Sequence, residues 1–431
     1  MSVAEPVEVG KAGQGPPVPP PAAPPRLWRN RDFMLLWSGQ TVSSLGSSMS
    51  GIVFTLLVLE ISGSPAAAGI AGALGSLPYI FLSLPVGALI DRWDRKRVMI
   101  LADTGRALSA ATIPIAMLLG VLTIWQLYAN ALIEGILYVF FNIAEVAAVP
   151  RVVPRAQLPS ATAQNQAADA TAGLLGPGLG GTLYQSVGHA FPFFFDAVSF
   201  SLSVVSLLFI KTNFQKDRSP SPRERHLIAE IKEGVAWLWH QPVVRFMSFL
   251  TGGLNFTNGA SGLVLIVLAK SMGASESNIG AMFSIGAIGG ILGSVVGGAL
   301  AKRFTFGQAI LGTVWFGTLL WPLYAFAPNI WVLGAILSLG FLTQPIYNVV
   351  QYSYRLALIP DELQGRVNSS FRLVAFGFQP LGVSLAGVLL QVFGPVPAIA
   401  VFSAWRIMIS LLATLNRDVR NAPPLEEAQN A

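Results

Sequence analysis

The chain has 431 residues, 53% of them hydrophobic and only 11% charged, with a mean hydropathy of +0.60. Soluble domains carry roughly a quarter charged residues, so a fully water-exposed surface cannot be made from this composition. Cysteine is absent, which excludes a disulfide framework and a thiolate metal site, and the net charge of +6 is explained by basic membrane loops better than by nucleic-acid binding. The apolar runs are long and continuous, unlike the alternating strands of about ten residues in a membrane barrel, and the length suits about twelve spanning helices of roughly 20 residues each.

Residues 1–32 are rich in Pro, Gly and Ala and lack the apolar core of a signal peptide, so they are expected to form a disordered cytoplasmic tail. Apolar runs then predict spans near 33–59, 65–90, 98–120, 124–148, 162–187 and 191–210, a first half covering 33–210. The segment 211–242 is charged and contains AEIKEGVAWLW, which reads as a short amphipathic interfacial helix in a cytoplasmic loop. Six more spans follow near 243–269, 277–300, 305–326, 329–354, 367–392 and 395–415, a second half over 243–415 before a cytoplasmic tail at 416–431. The fifth span begins with the polar NQAADAT, and Arg406 interrupts the last.

Positive charge sits in alternate connections. Arg92, Arg95, Lys96 and Arg97 follow the second span, Arg151 and Arg155 the fourth, and Lys302 and Arg303 the eighth, whereas the other connections are nearly bare apart from Lys270. The positive-inside bias then predicts an even number of spans in a cell membrane, with both termini cytoplasmic. The two sets also echo each other. RDFMLL matches VRFMSFL, GALIDR at Gly87 matches GALAKR at Gly298, and VVPRAQL at Pro154 matches ALIPDEL at Pro360, in the same order. This pattern is the mark of a duplicated six-helix unit.

GALIDRWDRKR, from Gly87 to Arg97, combines a small residue that admits close helix approach with an acid and several bases that can form breakable pairs. It resembles the gate signature of the major facilitator superfamily, Gly-x-x-x-Asp-Arg-x-Gly-Arg-Lys, with Gly87, Asp91, Arg92, Arg95 and Lys96 in register. Asp94 stands where that pattern has glycine, and in the second copy Lys302 takes the place of the acid. GPGLGG in the fifth span, with Gly176, Pro177, Gly180 and Gly181, resembles the antiporter motif of that superfamily's drug exporters. DAVSFSLS at Asp196, IPDELQGRVNSS and QPLGVSLAG are similar to the branch holding the enterobactin exporter and macrolide efflux proteins. The resemblance implies an all-α integral membrane fold of twelve helices in two pseudo-symmetric six-helix halves. It also implies proton-driven efflux of a bulky, partly apolar drug, siderophore or secondary metabolite.

Polar residues recur at helical spacing on four spans. Gln40, Ser44 and Ser47 lie on the first, Glu134, Tyr138 and Glu145 on the fourth, Asn255 and Asn258 on the seventh, and Gln344, Tyr347, Gln351 and Arg355 on the tenth. In the resembled family these four helices line the central cavity, which makes Gln40, Ser44, Tyr138, Asn255, Asn258, Gln344, Tyr347 and Gln351 candidates for substrate contact. Glu134 is the leading candidate proton carrier because burial favours the protonated form of a carboxyl, with Asp169 next, whereas Glu145, nearer the cytoplasm, is better suited to a gate pair with the loop bases than to proton transport. Asp103 and Arg106 read as a local i, i+3 pair, and Arg406 as a side chain that snorkels or meets an acid rather than substrate. No P-loop, metal-ligand cluster or nucleophile motif occurs, so an ion gradient, without cofactor, is the expected driving force and an enzyme is disfavoured. The expected partners are a small-molecule substrate, protons and the lipid bilayer, and a monomer is sufficient. An importer or facilitator of a small solute is the alternative, followed by a non-transporting receptor or scaffold.

Overall fold

The computed structural model describes residues 27–215, 227–360, 363–420 and 422. Most of both expected tails, at 1–32 and 416–431, therefore lies outside the described residues, as does part of the 211–242 connection. Among the described residues every regular element is helical. The first half comprises α1 (Arg31–Ser62), α2 (Pro65–Ile90), α3 (Arg95–Leu118), α4 (Ile124–Val152), α5 (Leu158–Ser186) and α6 (Phe191–Phe209). After α7 (Leu227–His240) come α8 (Pro242–Ser271), α9 (Glu276–Arg303), α10 (Phe306–Leu320, continued by a 3-10 turn to Phe326) and α11 (Ile330–Leu358). The eleventh span is broken at Phe378 into α12 (Gln364–Gly377) and α13 (Gln379–Phe393); α14 (Pro395–Leu415) and the short α15 (Arg417–Arg420) close the described chain.

Helix starts are fixed by local chemistry. Ser64, Thr123, Ser275 and Thr305 each place a side-chain oxygen on an amide of the first turn, satisfying a donor that has no partner inside the helix. Asp94 does the same for α3 by accepting from the Arg97 amide at 3.0 Å. The tight 2–3 turn thus forms without the glycine of the resembled signature, because the aspartate supplies a cap instead. At the other end of α1, Gly63 adopts φ 60°, the left-handed conformation that terminates a helix cheaply only when no Cβ is present.

Eleven helical segments are long and apolar enough to cross a membrane. The remaining helix of the twelve expected, α5, has 29 residues but is polar over its first half. It packs between α1 and α9, with Asp169 held by Ser44 of α1 and Gln166 at the edge of an interior cavity. The amphipathic helix expected in the connection is present as α7, docked against α12, where Gly234 abuts the Arg366 backbone and Glu233 pairs with the Arg366 guanidinium.

The halves join along two seams, α5 with α9 and α2 with α13. Both seams form at the end away from the Arg- and Lys-rich loops. On the first, Gly181 lies against the Glu276 backbone and Thr182 Oγ1 is 2.9 Å from Ser277 Oγ; on the second, Gly69 and Gly387 are in near-backbone contact. Buried apolar side chains follow the same division. One cluster at this end draws on both halves, including Val53, Tyr184, Leu265, Ile279 and Phe402. Toward the basic end the apolar core separates into a cluster belonging to the first half and another belonging to the second. Joined at one end and, apart from the contact of Tyr79 on α2 with Arg372 and Phe376 on α12, parted toward the other, the bundle forms a cleft that opens on the basic side.

Candidate functional site

Two polar regions face the interior, one in each half. In the first half the hub is Arg106 of α3, only 7% of whose side chain is exposed. Its Nε and Nη2 both lie 2.7 Å from Glu134 Oε1 on α4, and its Nη1 lies 3.6 Å from Asp103 Oδ1. The guanidinium plane rests over Phe200 at 4.0 Å, so an aromatic face supports the charge from below. Ser203 of α6 donates to Asp103 Oδ2 at 2.6 Å and accepts from Gln40 Nε2 at 3.1 Å, which ties α1, α3 and α6 into one network.

Around this hub stand three further carboxylates. Asp196 of α6 accepts from Ser50 at 2.5 Å and Ser47 at 3.4 Å, and Asp169 of α5 accepts from Ser44 at 3.1 Å. Glu145 makes no ion pair among the described residues but lies within electrostatic range of Asp169, Asp103 and Arg106. The gate pair expected for it is absent. Arg95 turns instead to the Ala147 carbonyl at 3.0 Å and to Asp91 at 3.8 Å, while Lys96 reaches the Ile210 carbonyl at 2.7 Å. Arg95 and Lys96 are therefore held on their own half.

The sequence-derived candidates divide between these regions. Glu134 is one-third exposed and Tyr138 is 44% exposed, so α4 presents both to the cleft. Gln40 and Ser44 serve the polar network just described. In the second half a cavity of about 880 Å³ is walled by α8, α9, α10, α11 and α14, with Gln166 of α5 at its edge. Asn258, Gln344 and Tyr347 line it; Asn258 donates to Gln344 Oε1 at 3.1 Å, and the Tyr347 hydroxyl is 2.7 Å from Thr251 Oγ1. Asn255 instead donates to the Ala375 carbonyl at 2.8 Å and Gln351 is buried off the cavity.

Sequence reading missed Asp103, Arg106 and Asp196 as a site, and the α10 and α14 walls of the cavity. Arg106 bonds to a carboxylate on another helix, which spacing along α3 does not reveal. Asp196, Ser199 and Ser203 do follow one helical face, and that polar row on an otherwise apolar span was the available signal. Arg406 neither snorkels nor meets an acid: it is 8% exposed and lines the cavity.

The two motif segments behave differently. Gly176 and Gly180 lie against Ser48 and Met49 of α1, and Gly181 against α9, so the GPGLGG segment is the point where three helices approach to near-backbone contact. Gly87 and its counterpart Gly298 face open space, so the close approach expected at Gly87 is not made in this conformation. The side chain of Lys302 lies outside the described residues.

A helical bundle of two joined halves around an interior polar cleft defines a membrane transporter rather than an enzyme. The chain belongs to the Major Facilitator Superfamily, whose family model matches residues 36–383. It is 27% identical to the uncharacterized MFS-type transporter YfiS of Bacillus subtilis, over 91% of this chain and 95% of that one. It is 25% identical both to the multidrug efflux pump Tap of Mycolicibacterium fortuitum (84% and 90% covered) and to the enterobactin exporter EntS of Salmonella typhi (92% and 95% covered). Its fold is similar to a variant of the nucleoside transporter NupG, with a TM-score of 0.74 at 12% identity, covering 89% of this chain and 98% of that one. It is also similar to an inward-facing bacterial homologue of the iron transporter ferroportin, with a TM-score of 0.71 at 17% identity and 90% and 99% covered.

Proposed function

We propose that the chain is a proton-coupled exporter that moves a bulky, partly apolar small molecule out of the cell by alternating access, with the basic end and both termini in the cytoplasm. The observation that carries this reading is the pairing of Glu134, exposed to the cleft, with the buried Arg106. Such a pair is a two-position switch. Ionised, Glu134 holds α4 to α3 through charge-assisted bonds; protonated, it gives up most of that attraction and shifts the balance between access states. Asp169, held by Ser44, and Glu145 are suited to relay the proton along the same cleft.

The positive-inside bias supports the orientation, under which the cleft is inward-facing. Outward transport is supported by the efflux functions in the names of Tap and EntS and by the GPGLGG segment at the seam. Because both seams are closed within a single chain, a monomer suffices for the cycle. The Gly87–Lys96 loop, bound to its own half here, becomes the cytoplasmic gate when the basic end closes.

Inverted membrane vesicles test the reading with a panel of fluorescent amphipathic compounds. Acidification of the lumen is expected to drive uptake of at least one compound, and uncoupler or Glu134→Gln to abolish it. Uptake that survives uncoupler would defeat proton coupling.

A further inference from the structure

The two halves carry opposite charge in their spans. The first holds Asp103, Glu134, Glu145, Asp169 and Asp196 around Arg106, whereas from Pro242 to Leu415 the sequence contains no acid except Glu276, Asp361 and Glu362. Glu276 begins α9 at the closed end and is bound by Lys270 at 2.7 Å; Asp361 and Glu362 fall in the connection between α11 and α12. Within its own half Arg406 therefore has no carboxylate near its level. It stands at the twelfth position of the 21-residue α14, roughly 17 Å along the helix at 1.5 Å per residue and so near mid-membrane.

At that depth a cation without a counter-charge is costly. Arg406 nevertheless makes no side-chain hydrogen bond or ion pair with the described residues, and its Nε is buried without a partner. Its guanidinium lies 5.6 Å from the centre of the Trp321 ring, and the Trp321 indole N–H is likewise buried and partnerless. Both residues line the 880 Å³ cavity, together with Tyr324, which stands edge-on to Trp321. A Cβ placed on Gly317 would reach within 2.8 Å of Arg406 Nη2, so the glycine leaves the space the guanidinium occupies. The cavity is thus bordered by an arginine whose side chain hydrogen-bonds to no described residue and by the Trp321 and Tyr324 rings, its wall mixes apolar with polar side chains such as Asn258 and Gln344, and it has room for a drug-sized molecule.

We propose that this cavity is the anion subsite of the cargo: an amphipathic compound bearing a carboxylate or similar oxyanion places that group on Arg406, with the Trp321 N–H as second donor and its apolar body along α10 and α11. The planar fork of an arginine suits such a two-oxygen acceptor. This rests on the reading of the chain as a transporter of small amphipathic molecules, but its test needs binding only and not flux.

Purified full-length protein is titrated with 4-biphenylcarboxylate, with the uncharged 4-biphenylcarboxamide and with sodium chloride alone, following tryptophan fluorescence and thermal stability. Wild type is expected to bind the carboxylate at least about tenfold more tightly than the amide, the scale of one charge-assisted hydrogen bond. Arg406→Gln should erase that preference and Arg406→Lys retain part of it. Trp321→Phe, which keeps the ring and removes only the N–H, should weaken the carboxylate and leave the amide unchanged, and so reports on the site even if Arg406→Gln fails to fold. Equal binding of carboxylate and amide by wild type, or an undiminished preference in Arg406→Gln or Trp321→Phe, overturns the proposal. Stabilisation by chloride that the carboxylate does not compete away also overturns it, in favour of a resident inorganic ion. Loss of proton-driven uptake with the carboxylate preference intact would count against the export reading alone.

Discussion

At the scale of single residues, the buried charges are held by partners on other helices. Asp196 is the clearest case, since it accepts from Ser50 at 2.5 Å and from Ser47 at 3.4 Å within the packed α1–α6 contact. Asp196→Ala should cost about 1–3 kcal/mol by leaving buried hydroxyls unpaired, whereas Asp196→Asn keeps an acceptor and should recover much of the loss; thermal denaturation in detergent measures both. Glu134 was legible in the sequence because a carboxylate in a long apolar run stands out. Its bond to Arg106 was not legible, because Arg106 has an acid three residues away and local spacing offers that simpler pairing. The same limit hid Arg406, whose importance lies in what is missing around it.

At the scale of elements, α5 is constrained on two sides. Its Gly176 and Gly180 meet α1 while Gly181 meets α9, so one small-residue face serves both the interior of a half and the seam between halves. The motif was visible as sequence, but which helices it would touch depends on the tertiary arrangement. Thr182 and Ser277, whose side-chain oxygens are 2.9 Å apart across this seam, offer a direct probe. Since the chain contains no cysteine, a Thr182→Cys, Ser277→Cys double variant should form one disulfide on oxidation, stop transport and regain it with reductant. Cross-linking without loss of transport would mean that the seam stays shut through the cycle. The signature's missing glycine has a similar lesson: Asp94 departs from the pattern yet makes the same turn by capping α3.

At the scale of the whole molecule, the alternation of basic loops and the repeated segments between halves made the two-part, twelve-helix build legible before any coordinates. The sequence did not reveal the 880 Å³ cavity within the second half, because its α10 wall, Thr313, Val314, Gly317 and Leu320 continued by Trp321 and Tyr324, has no polar periodicity. Gly87 ties the overall shape to function. Nothing occupies the space beside it in this conformation, so Gly87→Leu should leave the melting temperature nearly unchanged while sharply reducing transport, as the side chain obstructs closure of the basic end. A large fall in melting temperature would instead mean that Gly87 is packed in the resting protein.

The shared apolar cluster at the closed end also has an electrical meaning. A cleft open to water as far as Glu134 would carry the bulk potential of the open side toward mid-membrane, so that most of the transmembrane voltage would fall across the septum at the closed end. Under the proposed proton coupling, a proton reaching the carboxylate from the open side would cross little of that field, and one arriving through the opposite mouth would cross about as little once the halves have rocked. The voltage would then act chiefly on the rearrangement that carries the septum from one end to the other, at about 2.3 kcal/mol per charge for each 100 mV.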